Sequence, residues 1–247
     1  MRMFAAHSVV AMLLVTAVVG SRLLLTARRT RQLPELLFGI AFLGAGVGVG
    51  VGQLGMNLVW TAATPFATVM NAALFGLVVA GVVALHAAIW RVFHTHDLWG
   101  FATFATGSCL AIVGYGMRIG GGDFSARVFD SVGFMVFVFS LIWVLTWAGM
   151  EAIQLYLRLR KQVRLGLSKP VTASQVGLWG VAASLSAVMT IVIGINLLSF
   201  HRSPLVDTFS IGLLLLTVLG TSGAMWCAFF PPAALQSRLD ASTDPSS

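Results

Sequence analysis

Charge is what this chain lacks. Asp, Glu, Lys and Arg make up 9% of its 247 residues, against about 25% in soluble domains, so an ordinary water-facing surface cannot be built from it. From Leu36 to Trp90, 55 residues pass without one of the four. A bilayer core takes about 20 apolar residues per helix. One helix cannot use that whole run, so it must cross, turn and cross back. The polar stretch Trp60-Thr61-Ala62-Ala63-Thr64-Pro65 marks the turn.

Other absences narrow the reading. The only lysines are Lys161 and Lys169, both in one expected loop, which excludes a retinal Schiff base on the last helix. The two cysteines, Cys109 and Cys227, fall at different expected depths. That argues against a disulfide and for two buried thiols. No N-x-S/T sequon occurs, which fits a bacterial source. No polar stretch is long enough for a soluble domain. Residues 1–232 therefore read as one transmembrane domain, and the Ser-, Asp-, Ala- and Pro-rich 233–247 as a disordered cytoplasmic tail. The net charge of +7 does not point to nucleic acid, because the basic residues are sparse and flank apolar runs. No catalytic, metal or cofactor motif emerges, so an enzyme is not expected and no cofactor is implied.

What is present is hydrophobicity, 58% of residues, arranged in runs. The uncharged runs Leu98 to Met117 and Ser131 to Met150 are 20 residues each, Pro170 to Phe200 is 31, and Thr208 to Gln236 is 29. Each is long enough to span. The expected fold is all-α and polytopic, with seven transmembrane helices near 3–25, 35–58, 66–90, 98–118, 129–157, 171–199 and 205–230. Orientation follows the basic residues of the short loops. Arg22, Arg28, Arg29, Arg31, Arg91, Arg158, Arg160, Lys161, Arg164, Lys169 and Arg238 share one side. Arg2, Arg118, Arg127 and Arg202 share the other. This places the N-terminus outside and the C-terminus in the cytoplasm. The first run reads as a retained helix rather than a signal peptide, because its heavy positive flank, Arg28, Arg29 and Arg31, follows the run instead of preceding it.

Five sets of residues are candidates for function. The second helix carries Gly44, Gly48 and Gly52 at small-xxx-small spacing, with Gly46 and Gly50 between them. This pattern lets helix backbones approach closely, and it also fits a hinge, a homodimer seam or a ligand against bare backbone. Polar side chains within a membrane are costly and mark function. His7, Gln53, Asn57, Asn71, Tyr115, Asn196 and Asp207 all fall in the outer half, as an outward-open ligand pocket requires. Helix ends that touch water give the same pattern, and Asp207 also suits the first turn after Ser203-Pro204. Glu151, at the inner end of the fifth helix, is expected in an ion pair with Arg22 or Arg91. His86, His94, His96 and Asp97 cluster near the inner end of the third helix without a full metal-ligand set. Finally, Arg158, Lys161 and Arg164 recur every three residues, as contacts to anionic lipid or to a cytoplasmic partner.

The end of the last helix, Met225-Trp226-Cys227-Ala228-Phe229-Phe230-Pro231-Pro232, lacks the Asn-Pro-x-x-Tyr of animal seven-helix receptors. A three-plus-one-plus-three transporter layout is allowed by orientation, but no Pro-Gln motif is present. The segments Arg164-Leu165-Gly166-Leu167-Ser168-Lys169-Pro170-Val171, Leu178-Trp179-Gly180 and Phe229-Phe230-Pro231-Pro232 resemble a group of uncharacterised bacterial seven-helix integral membrane proteins. The resemblance covers about the last third of the chain. It implies a multi-pass protein of the bacterial inner membrane and names no activity.

The expected function is a receptor-like or sensor-like binder of a small or lipophilic ligand from the outer side. Such a protein works among membrane lipids, through a cytoplasmic or membrane signalling partner, with homo-oligomers possible and nucleic acid excluded. A small-molecule transporter and a structural or assembly subunit are the alternatives. The orientation has a direct test. A C-terminal alkaline phosphatase fusion should be inactive and a C-terminal GFP fusion fluorescent; the opposite pair of results inverts every inside and outside assignment.

Overall fold

The computed structural model describes residues 2–58, 64–122, 124, 131–200 and 208–232, and within them every regular element is helical. In chain order these are α1 (Arg2–Thr30), α2 (Leu33–Ala41), a π-helical segment (Phe42–Val47), α3 (Gly48–Leu58), α4 (Pro65–Phe93), α5 (Leu98–Gly120), α6 (Val132–Arg164), α7 (Pro170–Phe200) and α8 (Thr208–Phe229). Six described segments are long and apolar enough to cross a membrane: Val9–Thr30, Leu33–Gly52, Pro65–Phe93, Leu98–Gly120, Val132–Arg164 and Pro170–Asn196. Leu215–Phe229 is a shorter apolar helix. Large apolar side chains such as Leu25, Phe139 and Leu216 stay exposed. A helix satisfies its own backbone groups, so lipid can take the place of protein around it.

Local chemistry sets the helix ends. Thr64 caps α4, its Oγ1 accepting from the Ala67 amide at 3.2 Å, and Pro65 fills the first helical position. Ser131 caps α6 in the same way, through the Phe134 amide. Gly166, at φ 70°, ends α6 in the left-handed region that glycine tolerates, and Pro170 opens α7. Between α1 and α2 the chain turns at Arg31, a non-glycine at φ 57°. Thr30 Oγ1 donates to the Glu35 carboxylate across that turn.

The helices form a ring. α1 packs on α2, the α2–α3 rod on α4, α6 on α7, α7 on α8, and α8 returns to α1. α5 fills the groove between α4 and α6, which also touch each other. The buried core lies there, with Val78, Val79, Val82 and Ile89 on α4, Ala111 on α5, and Phe137, Val144, Trp147 and Ala148 on α6. The short turn from α4 to α5 makes those two antiparallel, and α6 reverses again, so α4 and α6 run parallel. α1 and α8 also run parallel, since Arg22 Nη1 donates to the Phe229 carbonyl at 2.8 Å near both C-terminal ends. Residues Thr30, Phe93, Arg164 and Phe229 thus share one end of the bundle, called here the basic end.

Three expectations change. The second helix is not uniform: a π-helical segment interrupts it, with right-handed helical backbone at Ala41 and Gly48 on either side, so the rod continues through it. Gly44 and Gly46 lie within these six residues, and glycine weakens the preference for regular helical backbone. Second, Cys109 is exposed rather than buried, and Cys227 is partly buried. Third, Arg118 is a buried side chain, 2% exposed, and not a headgroup-level charge.

The glycines explain how the rod seats. A Cβ built on Gly44 would lie 2.8 Å from Gly81 Cα and from the Leu77 carbonyl oxygen, and one on Gly48 would lie 2.7 Å from Val78 Cγ2, all on α4. Gly46 and Gly50 face α1 instead, against Thr16 and Leu13. Gly52 departs from the stripe: nothing approaches within 4 Å of its built Cβ. Gly44→Leu should therefore push α4 away and cost about 1–3 kcal/mol by the overpacking rule, whereas Gly52→Leu should leave stability unchanged. Melting temperatures in detergent decide this; equal values for the two variants would mean that the Gly44–Gly81 crossing does not hold the rod.

Candidate functional site

The polar groups of the three-helix unit α4–α5–α6 fall at three levels. At the basic end, His94 closes α4, its amide donating to the Trp90 carbonyl at 2.9 Å. The chain then turns, and Asp97 precedes α5. Asp97 occupies the N-cap position but its carboxylate makes no cap hydrogen bond. It points instead to His94 Nδ1 at 3.1 Å. The other ring nitrogen, Nε2, lies 2.6 Å from Glu151 Oε1 on α6. Trp147, one turn earlier on α6, donates its Nε1–H to the same oxygen at 3.3 Å. Trp99 meets the imidazole edge-on at 4.1 Å between centroids, and Trp147 stacks on it at 5.7 Å.

This arrangement favours the imidazolium. A neutral imidazole has one donor and one acceptor nitrogen, whereas the charged ring donates from both, and here both face carboxylates. The side chain is only 11% exposed. That burial opposes the charge, but the hydrogen bonds to Glu151 and Asp97 and their negative charge outweigh it and raise the pKa of His94 above 6.5. The two nitrogens point away from each other, so the three groups form a bridge and not a chelate. No cluster of three metal-ligating side chains occurs among the described residues. What the site can do is bind and release a proton while tying the α4–α5 turn to α6.

Glu151 therefore does not pair with Arg22 or Arg91 as the sequence suggested. Arg22 is committed to α8. Arg91 is exposed, and the stripe of α4 that meets α5 and α6 is His86, Trp90 and His94, spaced by four. That spacing was the available signal. It becomes informative once α5 is known to cover the stripe.

Midway along the unit, His86 is fully buried. Its Nδ1 lies 3.0 Å from the Val82 carbonyl. The ring rests on bare backbone at Gly107, where a built Cβ would come within 2.1 Å of Nε2. Ser140 Oγ donates to the Gly107 carbonyl at 2.7 Å and ties α6 to the same point. Trp90 stacks on Phe104 of α5, with centroids 5.2 Å apart.

The opposite end holds Arg118 in a cage of rings. Its guanidinium lies 4.3 Å from the centroid of Phe75, 4.6 Å from Phe124 and 5.4 Å from Phe134. Desolvated cation–π contacts of this kind contribute about 2 kcal/mol each. Two of the candidate pocket residues border the cage. Tyr115 OH donates to the Ala72 carbonyl at 3.2 Å, and Asn71 Nδ2 donates to the Phe124 carbonyl at 3.3 Å. Phe75 and Phe137 pack at 4.7 Å between them, so aromatic rings fill this region. Asn196 is spent within α7, donating to the Val192 carbonyl at 2.9 Å. The side chains of His7, Gln53 and Asn57, and Asp207 as a whole, lie outside the described residues. Arg158, Lys161 and Arg164 are exposed on the last turns of α6.

The raised pKa of His94 has a signed consequence. The charged ring stabilises the folded state fully below pH 6.5, and that contribution disappears as pH rises through the raised value. The melting temperature of the purified protein should fall over that window. In His94→Gln this part of the pH dependence should vanish; an unchanged profile would show that the bridge contributes nothing.

No family model, curated protein or solved structure matches this chain, so its own geometry carries the functional reading.

Proposed function

We propose that the protein is a seven-span sensor of the bacterial inner membrane, with its N-terminus outside, its basic end in the cytoplasm, and α8 as the seventh span. It takes its signal, a small or lipophilic ligand, from the outer side and delivers it at the basic end to a signalling partner. One observation carries this reading: the same three helices hold a polar cluster at each end. Asn71, Tyr115 and Arg118 border one, and His94, Asp97 and Glu151 form the other. From Ala72 to His94 is 22 residues of α4, about 33 Å at 1.5 Å per residue. The packed core of α4, α5 and α6 lies between. A shift at the outer cluster is then passed along rigid helices to a bridge whose protonation follows the separation of α4 and α6.

Linkage makes this testable without knowing the ligand. The pKa of His94, followed by NMR of labelled histidine, should move by about half a unit or more in Tyr115→Phe and in Asn71→Ala, as expected for coupling of roughly 0.5–2 kcal/mol. Identical titrations in wild type and both variants would remove the sensor reading.

A second reading, a small-molecule transporter, is favoured by the helix order. With α5 set aside, α1, the α2–α3 rod and α4 correspond to α6, α7 and α8. The parallel contacts α4–α6 and α8–α1 exchange under that correspondence, as in transporters built from parallel repeats. Spin labels at the outer ends of α3 and α7 separate the readings. Two distance populations would indicate rocking halves, and one narrow population favours the sensor.

A further inference from the structure

Where α1, α7 and α8 meet at the basic end, a cleft of about 320 Å³ opens. It is lined by Arg22, Leu23 and Thr26 of α1, Gln175 and Trp179 of α7 and Phe229 of α8, so polar and apolar side chains share it. Among the described residues no acidic side chain lines it. We propose that this cleft binds an anionic phospholipid, its phosphate on Arg22 and its glycerol and upper acyl region along Leu23 and Trp179.

The charge argument starts from Arg22. Its guanidinium has five N–H donors. One is used by the Phe229 carbonyl at 2.8 Å, where it satisfies the C-terminal end of α8, and the ring of Phe230 covers one face at 4.6 Å. The remaining donors are exposed toward the cleft without a described partner. Such a planar fork matches phosphate geometry. Arg28 and Arg29 lie six and seven residues further along α1, about 9–10 Å closer to the end of the bundle. Lys169 precedes α7 on the same side. All three are exposed, and they form a positive collar through which an anion enters.

Depth and polarity select the kind of anion. Arg22 lies within the apolar span Val9–Thr30, inward of the collar. A free anion would have to leave the headgroup layer and sit against indole and phenyl rings. A phospholipid already has its phosphate at the boundary and its chains below it, so the polar and the apolar lining are matched by one molecule. Trp179 suits the glycerol level, where indole rings concentrate in membrane proteins. This site is separate from the exposed Arg158, Lys161 and Arg164 on α6.

The test reconstitutes the full chain into phosphatidylcholine vesicles containing either brominated phosphatidylglycerol or brominated phosphatidylcholine. Quenching at Trp179 is taken as the difference from Trp179→Phe. Phosphatidylglycerol should be preferred about fivefold, the size expected for one interfacial arginine. Arg22→Gln should abolish the preference and Arg22→Lys should retain most of it. Should Arg22→Gln not fold, Gln175→Leu, which leaves the Arg22–Phe229 bond in place, should reduce the preference. Equal quenching by the two lipids, or a preference unaffected by both Arg22→Gln and Gln175→Leu, overturns the proposal. Relief of quenching by inorganic phosphate would also overturn it, since the cleft would then hold a free anion.

Discussion

Helices in a bilayer gain little by hiding apolar surface from one another, because lipid is as apolar as they are. What holds them is close approach. The contact on which this bundle depends is the crossing of two bare backbones, Gly44 on the glycine-rich rod and Gly81 on α4. That crossing sets the distance between the rod and α4, while Gly46 and Gly50 seat the rod on α1. It presents α4 to α5 and α6 with its other face, the one bearing His86, Trp90 and His94. The same rule recurs at Gly114 and Gly133, where α5 and α6 approach with a built Cβ at 2.7 Å from the opposing carbonyl oxygen, and at Gly107, which admits the His86 ring.

Close approach also explains where polarity survives. The low-dielectric interior makes an unsatisfied polar group expensive, and several are matched by a specific device, although His86 Nε2, Trp90 Nε1, Ser108 Oγ and Ser222 Oγ are buried without a hydrogen-bond partner among the described residues. Arg118 is enclosed by aromatic faces, Ser140 bonds a carbonyl across the helix pair, and Asn196, Thr190 and Ser186 return to carbonyls of their own helix. At the basic end, by contrast, both ring nitrogens of His94 face carboxylates. There the strength of the His94–Glu151 contact depends on the medium as well as on packing.

Much of the architecture was legible in the residues. Uncharged runs gave the membrane class and most of the spans, Thr64-Pro65 and Gly166 with Pro170 gave helix ends, and the alternating glycines gave a rod that packs on two sides. The π-helical segment was not legible, because hydrophobic pattern does not distinguish hydrogen-bond registers within a continuous rod. Nor was the partner of Glu151. Depth alone pointed to Arg22 or Arg91, and only the placement of α5 brings His94 to α6 while Arg22 turns to α8. Arg118 was misplaced for a related reason. An arginine at a helix end usually reaches water, and the rings that hold it come from α4, from α6 and from Phe124, so no local stretch of sequence announces them. The outer polar set was chosen by depth, which cannot tell a shared face from separate ones, as Asn196 illustrates.

The adjacency of α1 and α8 bears on how the protein is made. The bond from Arg22 to Phe229 joins residues 207 positions apart. At about 5–20 residues per second, roughly 10–40 s separate the synthesis of its two ends. During that interval α1 is held by the glycine rod alone, with Arg22 facing lipid and no carbonyl to receive it. Arrival of α8 closes the ring and creates both the bond and the cleft beside it.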